Sequence, residues 1–183
     1  MKIYFSGALT QRKKYGQYYK QIVEFLEKSG HEVFQDTTYT SYHSAVNKNE
    51  QERFTYYQQV LKWIKQADAV FLEVSFPSTL HIGHEVSLAI DQAKPVIALY
   101  HKGCEPSFFL GLDHDLVLWC DYCPQTISTV LQRGVRFLQE KTQIRFNFTL
   151  SYSQYRYLQK ATKSTSMTKA AYIRKLIEND AAA

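Results

Sequence analysis

Hydrophobic and polar residues alternate along the first 141 residues in a way that predicts strands and helices in turn. Five short apolar runs have the length and composition of strands, and they lie at 2–6, 31–35, 69–75, 95–100 and 115–120. Between and after them, apolar residues recur at every third or fourth position, which is the period of a helix buried on one face. Strands interleaved with helices favour the α/β class, here a doubly wound parallel sheet of five strands.

Two of the predicted helices have a well-defined apolar face. The first ends at the Ser-Gly pair 29–30, and its inward residues are Tyr19, Ile22, Val23 and Leu26. The second spans 50–66, and its apolar stripe consists of Phe54, Tyr57, Leu61 and Ile64. A third helix is predicted at 84–94, where Pro95 ends it. We expect each apolar face to pack against the sheet.

Polar loops follow three of the predicted strands. They are SGALTQRKK at 6–14, SFPSTLHIGHE at 75–85 and HKGCEPSFFLG at 101–111. Ligands of open parallel sheets bind beyond the carboxyl ends of the strands, where such loops converge. The sequence therefore predicts the functional site among these three loops.

Glu85 is the most informative residue of the second loop. It falls at the start of the predicted helix 84–94, where backbone amides and the helix dipole lower the pKa of a carboxyl and keep it ionised. An ionised, positioned carboxylate can act as the nucleophile of glycosyl transfer, although glutamate is common in the first turn of any helix. Ser78 and Thr79 are near enough to bind a sugar hydroxyl, and Gly83 would let a ligand approach the backbone.

Histidines and cysteines in and near these loops suggest metal or redox chemistry only weakly. His81, His84 and Glu85 could be read as ligands, but Gly83 lies between the histidines and no further ligand has a diagnostic spacing. The CDYC motif at 120–123 lacks the second pair that a zinc site requires, and it is better explained by buried thiols. We therefore expect neither a metal nor a cofactor.

The strand and loop motifs together resemble a known enzyme family. KIYFSGALT, QADAVFLEVSFPST, GHEVSLAI and KPVIALY, within residues 2–121, resemble the nucleoside 2-deoxyribosyltransferases, and most closely their 2′-deoxynucleoside 5′-monophosphate N-glycosidase branch. The resemblance implies a flavodoxin-like fold and cleavage of a base–sugar bond, by hydrolysis or transfer. It implies that Glu85 is the catalytic nucleophile. The substrate-binding positions that it implies, or that lie beside them, are Tyr4, Gly7, Arg12, Ser78, Thr79, Gly83 and His84.

Three positions depart from the pattern of that family. Histidines at 81 and 84 stand where the family has glycine and tyrosine, and Val60 falls near the position of a family carboxylate. Thr10 takes the place of an arginine in the first loop, although Arg12, Lys13 and Lys14 follow closely and could bind a 5′-phosphate. A solvated basic turn is the alternative explanation for these three cations.

The carboxyl-terminal residues form a basic segment with its own pattern. Residues 142–183 carry seven basic and two acidic side chains, which accounts for the whole net charge of +5. QIRFNFTLS at 143–151 alternates apolar and polar residues like a strand, and helical patterns follow at 152–163 and 168–179, with Thr168 as a plausible N-cap. The segment is too small to bury its apolar faces alone, so we expect it to pair with a second copy.

This strand-helix-helix pattern resembles the ribbon-helix-helix DNA-binding domains. The resemblance implies that Arg145, Asn147 and Thr149 face the major groove of double-stranded DNA, while the region of Thr168 and Lys169 contacts a phosphate. A module that only dimerises the enzyme explains the same pattern.

Two functions therefore compete. The first is an N-glycosidase or deoxyribosyltransferase acting on a nucleoside or nucleotide through Glu85, built from an α/β domain at 1–141 and a ribbon-helix-helix-like module at 142–183. The second is a DNA-binding transcriptional regulator whose α/β domain senses a nucleotide without catalysis. In either case the three cysteines, the absence of a long apolar run and the ordinary amino terminus favour a cytoplasmic protein without membrane contact. The expected pairing of the carboxyl-terminal segment makes it a homodimer.

Overall fold

The computed structural model describes residues 1–38, 47–106, 109–142, 148–165 and 167–181. The chain divides into two compact units, Met1–Ile144 and Arg145–Ala183.

The first unit is built on a parallel sheet. Its strands are β1 Lys2–Gly7, β2 Glu32–Phe34, β3 Ala69–Glu73, β4 Val96–His101 and β5 Val117–Tyr122. They lie side by side in the order β2-β1-β3-β4-β5, and every neighbouring pair is parallel. β3 is buried along its whole length, as its apolar sequence predicts. The predicted α/β class and five-stranded parallel sheet are confirmed.

Four α-helices in the described residues of this unit cover the two faces of the sheet. They are α1 Arg12–Lys28, α2 Glu50–Gln66, α3 Leu80–Asp91 and α4 Ile127–Thr142. The buried residues of α1 and α4 join one apolar core with Phe5 and Phe71. The buried residues of α2 and α3 join a second core with Tyr4 and Leu72 on the opposite face. The carboxyl ends of β1 and β3 therefore open beside α2 and α3.

The buried face of α2 differs from the predicted one. Phe54 and Tyr57 are 59% and 43% exposed, whereas Val60 and Ile64 are buried. The helix begins with a capping box, in which the Asn49 side chain accepts from the backbone N–H of Glu52 at 2.9 Å. The predicted stripe was wrong at its amino-terminal half, where Phe54 is exposed and Tyr57 borders a cavity instead of packing in the core.

Glu73, at the end of β3, lies at the centre of a buried hydrogen-bond network. Its Oε1 accepts from the hydroxyls of Ser75 and, at 3.0 Å, Tyr122, while its Oε2 lies 3.3 Å from the Tyr19 hydroxyl. Burial raises the pKa of Glu73, which is 1% exposed, although the hydrogen bonds oppose that effect. The Tyr19 hydroxyl is also 3.1 Å from the carbonyl of Ala8. The single proton of the Tyr19 hydroxyl is shared between these two acceptors; if Oε2 is itself protonated, it donates to Tyr19 and the Tyr19 proton goes to Ala8.

The second unit contains α5 Tyr152–Thr165 and α6 Lys169–Ala181, so both predicted helices of this segment are present. The Thr168 hydroxyl accepts from the backbone N–H of Ala171 at 3.2 Å, which confirms the predicted N-cap. Among the described residues of this unit, Leu158 is the only buried apolar side chain. Residues 148–150 are not in a strand, and 143–147 lie outside the described residues.

None of the described helices combines the length and apolar character that crossing a membrane requires.

Candidate active site

A cavity of about 920 Å³ opens at the carboxyl ends of β1 and β3, between α2 and α3. This volume lies in the range of about 300–1,000 Å³ that is typical of ligand pockets. Three parts of the chain line it among the described residues. The first loop contributes Ser6, Leu9 and Thr10, and the start of α2 with the residue before its cap contributes Lys48, Arg53, Tyr56, Tyr57 and Val60. The second loop and α3 contribute Thr79, Leu80, His81, Ile82, His84 and Glu85. Two of the three predicted loops therefore border this cavity.

Glu85 lines the cavity but is 7% exposed. Burial raises the pKa of Glu85 to about 7, hydrogen bonds from Ser6 and Tyr4 act against that rise, and the charge of Asp36 adds to it. No described residue hydrogen-bonds its buried Oε2. This oxygen is therefore buried without a hydrogen bond from the described residues, in a side chain that lines the cavity.

The expected lowering of the Glu85 pKa was wrong. The helix begins at Leu80 rather than at residue 84, so Glu85 lies in its second turn, beyond the free amides of the first turn. Desolvation then exceeds the effect of the helix dipole, and the pKa rises instead of falling.

β1 supplies two side chains next to Glu85. Tyr4 and Ser6 are two residues apart on β1, so their side chains point to the same face of the sheet. Burial, and next the charge of Glu85, raise the pKa of Tyr4, so its phenol remains a hydrogen-bond donor. The Tyr4 ring stacks on Trp63 with centroids 6.2 Å apart. Ser6 was missed from the sequence, although the two-residue period of a strand from Tyr4 would have indicated it.

An aromatic pair joins the two helices at the cavity. The Tyr57 hydroxyl and Nε2 of His84 are 2.9 Å apart, and the two rings stack with centroids 5.9 Å apart at 20°. The predicted substrate-binding residue His84 therefore lines the cavity together with Tyr57, which was predicted as a core residue.

The cavity wall also carries positive charge that the sequence did not predict. Lys48 and Arg53 line it, and Nζ of Lys48 lies 3.8 Å from the ring centroid of Tyr56. Glu85 is the only carboxylate among the described lining residues, and Val60 stands on the wall without an acidic neighbour there. The sequence shows that Lys48 and Arg53 flank the capped start of α2, but only the packing of α2 shows that they face the cavity.

Ser78 and Thr79 precede the first turn of α3. Thr79 is its N-cap residue but makes no side-chain capping bond, and it lines the cavity. Oγ of Ser78 is buried and has no hydrogen-bond partner among the described residues. Thr79 therefore borders the cavity, whereas Ser78 is not among its described lining residues.

Two predicted glycines have close neighbours of their own. A Cβ at Gly83 would lie 2.7 Å from the ring of Phe109, and a Cβ at Gly7 would lie 2.8 Å from the ring of Tyr19. Neither glycine is among the described lining residues of the cavity. Their lack of a side chain accommodates aromatic packing, and this packing positions α3 and the first loop.

The basic residues of the first loop point elsewhere. Arg12 donates from Nη2 to the carbonyl of Thr38 at 2.6 Å, and Nζ of Lys14 is 3.7 Å from Sγ of Cys104. Arg12 is not among the described lining residues, so its contact with a phosphate stays a prediction. His43 lies outside the described residues.

The residues predicted to read DNA are only partly described. Arg145 and Asn147 lie outside the described residues, and Thr149 is exposed in a segment without strand structure. Lys169 is engaged within the unit, since its Nζ lies 2.9 Å from the Tyr155 hydroxyl. DNA binding and dimer formation by this unit stay predictions.

Among the described residues, no three His, Cys, Asp or Glu side chains come together as metal ligands. The cysteines are free: Cys120 is buried in β5, and Cys104 and Cys123 are half-buried.

Comparison with known proteins identifies the first unit. The family model "Nucleoside 2-deoxyribosyltransferase" matches residues 3–113. A protein of Syntrophotalea carbinolica that carries the name 2′-deoxynucleoside 5′-phosphate N-hydrolase 1 is 33% identical over 106 residues, which span 57% of this chain and 72% of that protein. Among solved structures, the CMP N-glycosidase BcmB of Clostridium botulinum is similar, with a TM-score of 0.49 and 17% identity over 73% of this chain and 97% of that one. This chain belongs to the nucleoside 2-deoxyribosyltransferase family.

Proposed function

We propose that the protein cleaves the bond between the base and the sugar of a 2′-deoxynucleoside 5′-monophosphate, with Glu85 as the nucleophile. The observation that carries this proposal is the buried carboxylate of Glu85, which lines the cavity and has an Oε2 without a hydrogen-bond partner among the described residues. Such a group is held in place by its surroundings and is not paired with a cation from the described residues, so it can attack carbon once ionised.

The reaction proceeds in two steps. The ionised Glu85 attacks C1′ while the C1′–N bond breaks and the base departs with the electron pair. The resulting glycosyl ester is then attacked at C1′ by water, which gives hydrolysis, or by a second base, which gives transfer. Because burial raises the pKa of Glu85 to about 7, about half of the free enzyme carries the ionised nucleophile at neutral pH.

The charge of the cavity favours a nucleotide over an uncharged nucleoside. Lys48 and Arg53 line it, and Glu85 is the only carboxylate among the described lining residues. The hydroxyls of Ser78 and Thr79, at the amino end of α3, could in addition bind a phosphate oxygen or a sugar hydroxyl. The relative in S. carbinolica is named for a 5′-phosphate substrate, which supports the same choice.

A substrate panel tests this function. The four common 2′-deoxynucleoside 5′-monophosphates, their nucleosides and the matching ribonucleotides are incubated with the full chain, and released base is measured by chromatography. We expect at least one deoxynucleotide to release its base, and the matching nucleoside to react at least about 10-fold more slowly because it lacks the phosphate contacts. Addition of a second free base distinguishes transfer, which forms a new nucleotide, from hydrolysis. No release from any compound would contradict the proposal.

The family match does not favour the alternative of a DNA-binding regulator without catalysis, because it covers the unit that holds the cavity.

A further inference from the structure

Cleavage of a base–sugar bond leaves an electron pair on the nitrogen of the base. Protonation of the base by a positioned acid lowers the barrier for this departure, typically by a factor of about 100 to 10,000 in rate. Glu85 cannot supply this proton if it is the nucleophile, and no other carboxylate is among the described lining residues. If the proposed function holds, a different group must act as the acid.

Few of the other side chains at the cavity are suited to this role. Lys48 and Arg53 are the cations of the wall, and the proposed function assigns them to the phosphate of the nucleotide. Burial, and next the charge of Asp36, raise the pKa of Tyr56, which makes its phenol a poor acid. Besides the weakly acidic hydroxyls of Ser6, Thr10 and Thr79, the remaining proton donors on the described wall are Tyr57, His81 and His84. Histidine is the side chain that exchanges protons most readily near neutral pH.

The two histidines differ in how they are held. Nε2 of His84 lies 2.9 Å from the Tyr57 hydroxyl, and the stacked Tyr57 ring restrains the imidazole plane. No described residue hydrogen-bonds Nδ1 of His84, and no hydrogen bond from a described residue to the ring of His81 is present. His84 directly precedes Glu85 on α3, and the exposed His84 side chain and the buried Glu85 side chain both line the cavity. Of the two histidines on the described wall, His84 is therefore the one whose ring is held in a fixed orientation.

We propose that His84 is the general acid that protonates the departing base and that Tyr57 is a positioning residue for its imidazole. In the protonated imidazole, Nε2–H donates to the Tyr57 oxygen and Nδ1–H is directed to the base. As Glu85 forms its bond to C1′, the C1′–N pair moves to the base nitrogen, and that nitrogen takes the Nδ1 proton. The neutral imidazole then accepts a proton from the water that attacks C1′, which restores His84 and releases the Glu85 carboxylate.

Leaving groups that need no proton provide the test. A 7-methylated purine departs as a neutral molecule, and a 5-fluorinated uracil departs more readily as an anion than uracil does. Thus dGMP is compared with 7-methyl-dGMP if the enzyme cleaves purine nucleotides, and dUMP with 5-fluoro-dUMP if it cleaves pyrimidine nucleotides. We expect His84→Ala to lower kcat/KM by about 100-fold for the unmodified member of the pair and by clearly less for the activated member. We expect Tyr57→Phe to show the same selectivity at about a tenth of the size, and added imidazole to rescue His84→Ala.

His81→Ala is the matched control, since it removes an exposed imidazole from the same helix and cavity wall. It should change the two members of each pair by equal factors. An equal loss for both members in His84→Ala would overturn the role of His84, as would a selective loss in Asp36→Asn without one in His84→Ala. Absence of base release by the wild-type protein would overturn the proposed function and this inference together.

Discussion

Glu85→Gln is expected to lower base release by about 1,000-fold or more while the protein stays folded. The amide has nearly the shape of the carboxylate, but it cannot carry the negative charge that attacks C1′. The measurement is single-turnover release of base from the best nucleotide of the panel, with mass spectrometry of the quenched wild-type reaction to detect a glycosyl ester on Glu85. Residual activity within about 10-fold of wild type would show that another group is the nucleophile.

The same variant has a thermodynamic signature that serves as its folding control. The pKa of Glu85 is about 7 in the folded protein, above the ordinary glutamate value of about 4.3. A raised folded pKa means that the folded state binds the extra proton, so its stabilising effect is complete below about pH 4 and is lost as pH rises through about 7. The wild type should therefore lose up to about 3 kcal/mol over this window. Glu85→Gln should not, so its Tm should exceed that of the wild type at pH 8 and match it most closely at acidic pH.

Glu73→Ala is expected to destabilise the protein by about 3–5 kcal/mol, a large part of the stability of a typical domain. It removes the acceptor of the Ser75 and Tyr122 hydroxyls and leaves a void beneath the sheet. Chemical denaturation at neutral pH measures the change.

Glu73→Gln is the matched control for that loss. The amide oxygen can accept from Ser75 and Tyr122, and its nitrogen can donate to Tyr19 in place of a protonated Oε2. It should cost less than about 1 kcal/mol if Glu73 is neutral in the folded state. Equal destabilisation by Gln and Ala would show instead that the network requires a carboxylate.

The sheet was predictable because its signal is local. A run such as AVFLEVS at 69–75 has the residue types of a strand buried on both faces, and this property does not depend on distant contacts. The parallel order follows from strands that alternate with helices. That topology places the loops after β1 and β3 at the same edge of the sheet, which is why both were predicted to border the cavity.

The charge state of Glu85 was not predictable in the same way. It depends on where α3 begins, and Leu80 after a Ser-Thr pair gives a weak start signal compared with the later apolar period. It also depends on burial by β1 and α2, which brings Tyr4 and Ser6 to the carboxyl. A local pattern has no information about either contact.

The cavity wall formed by α2 was missed for a related reason. Apolar periodicity identifies Tyr57 as a helix-face residue, but it cannot distinguish a face that packs on the sheet from one that borders a cavity. The local pattern around the cations Lys48 and Arg53 does not distinguish a solvated helix start from a cavity wall, and only the tertiary position of that start assigns them to the cavity.

The stack of Trp63 on Tyr4 also has a spectroscopic consequence. The Trp63 indole stacks directly on the ring of Tyr4, whose hydroxyl hydrogen-bonds Glu85. We therefore expect the emission wavelength of Trp63 to respond to the charge of that carboxylate. The chain has two tryptophans, and the indole of the other, Trp119, donates to the carbonyl of Leu112 in the loop before β5. In a Trp119→Phe background, the fluorescence of Trp63 would follow the ionisation of the glutamate and the arrival of a nucleotide without any attached dye.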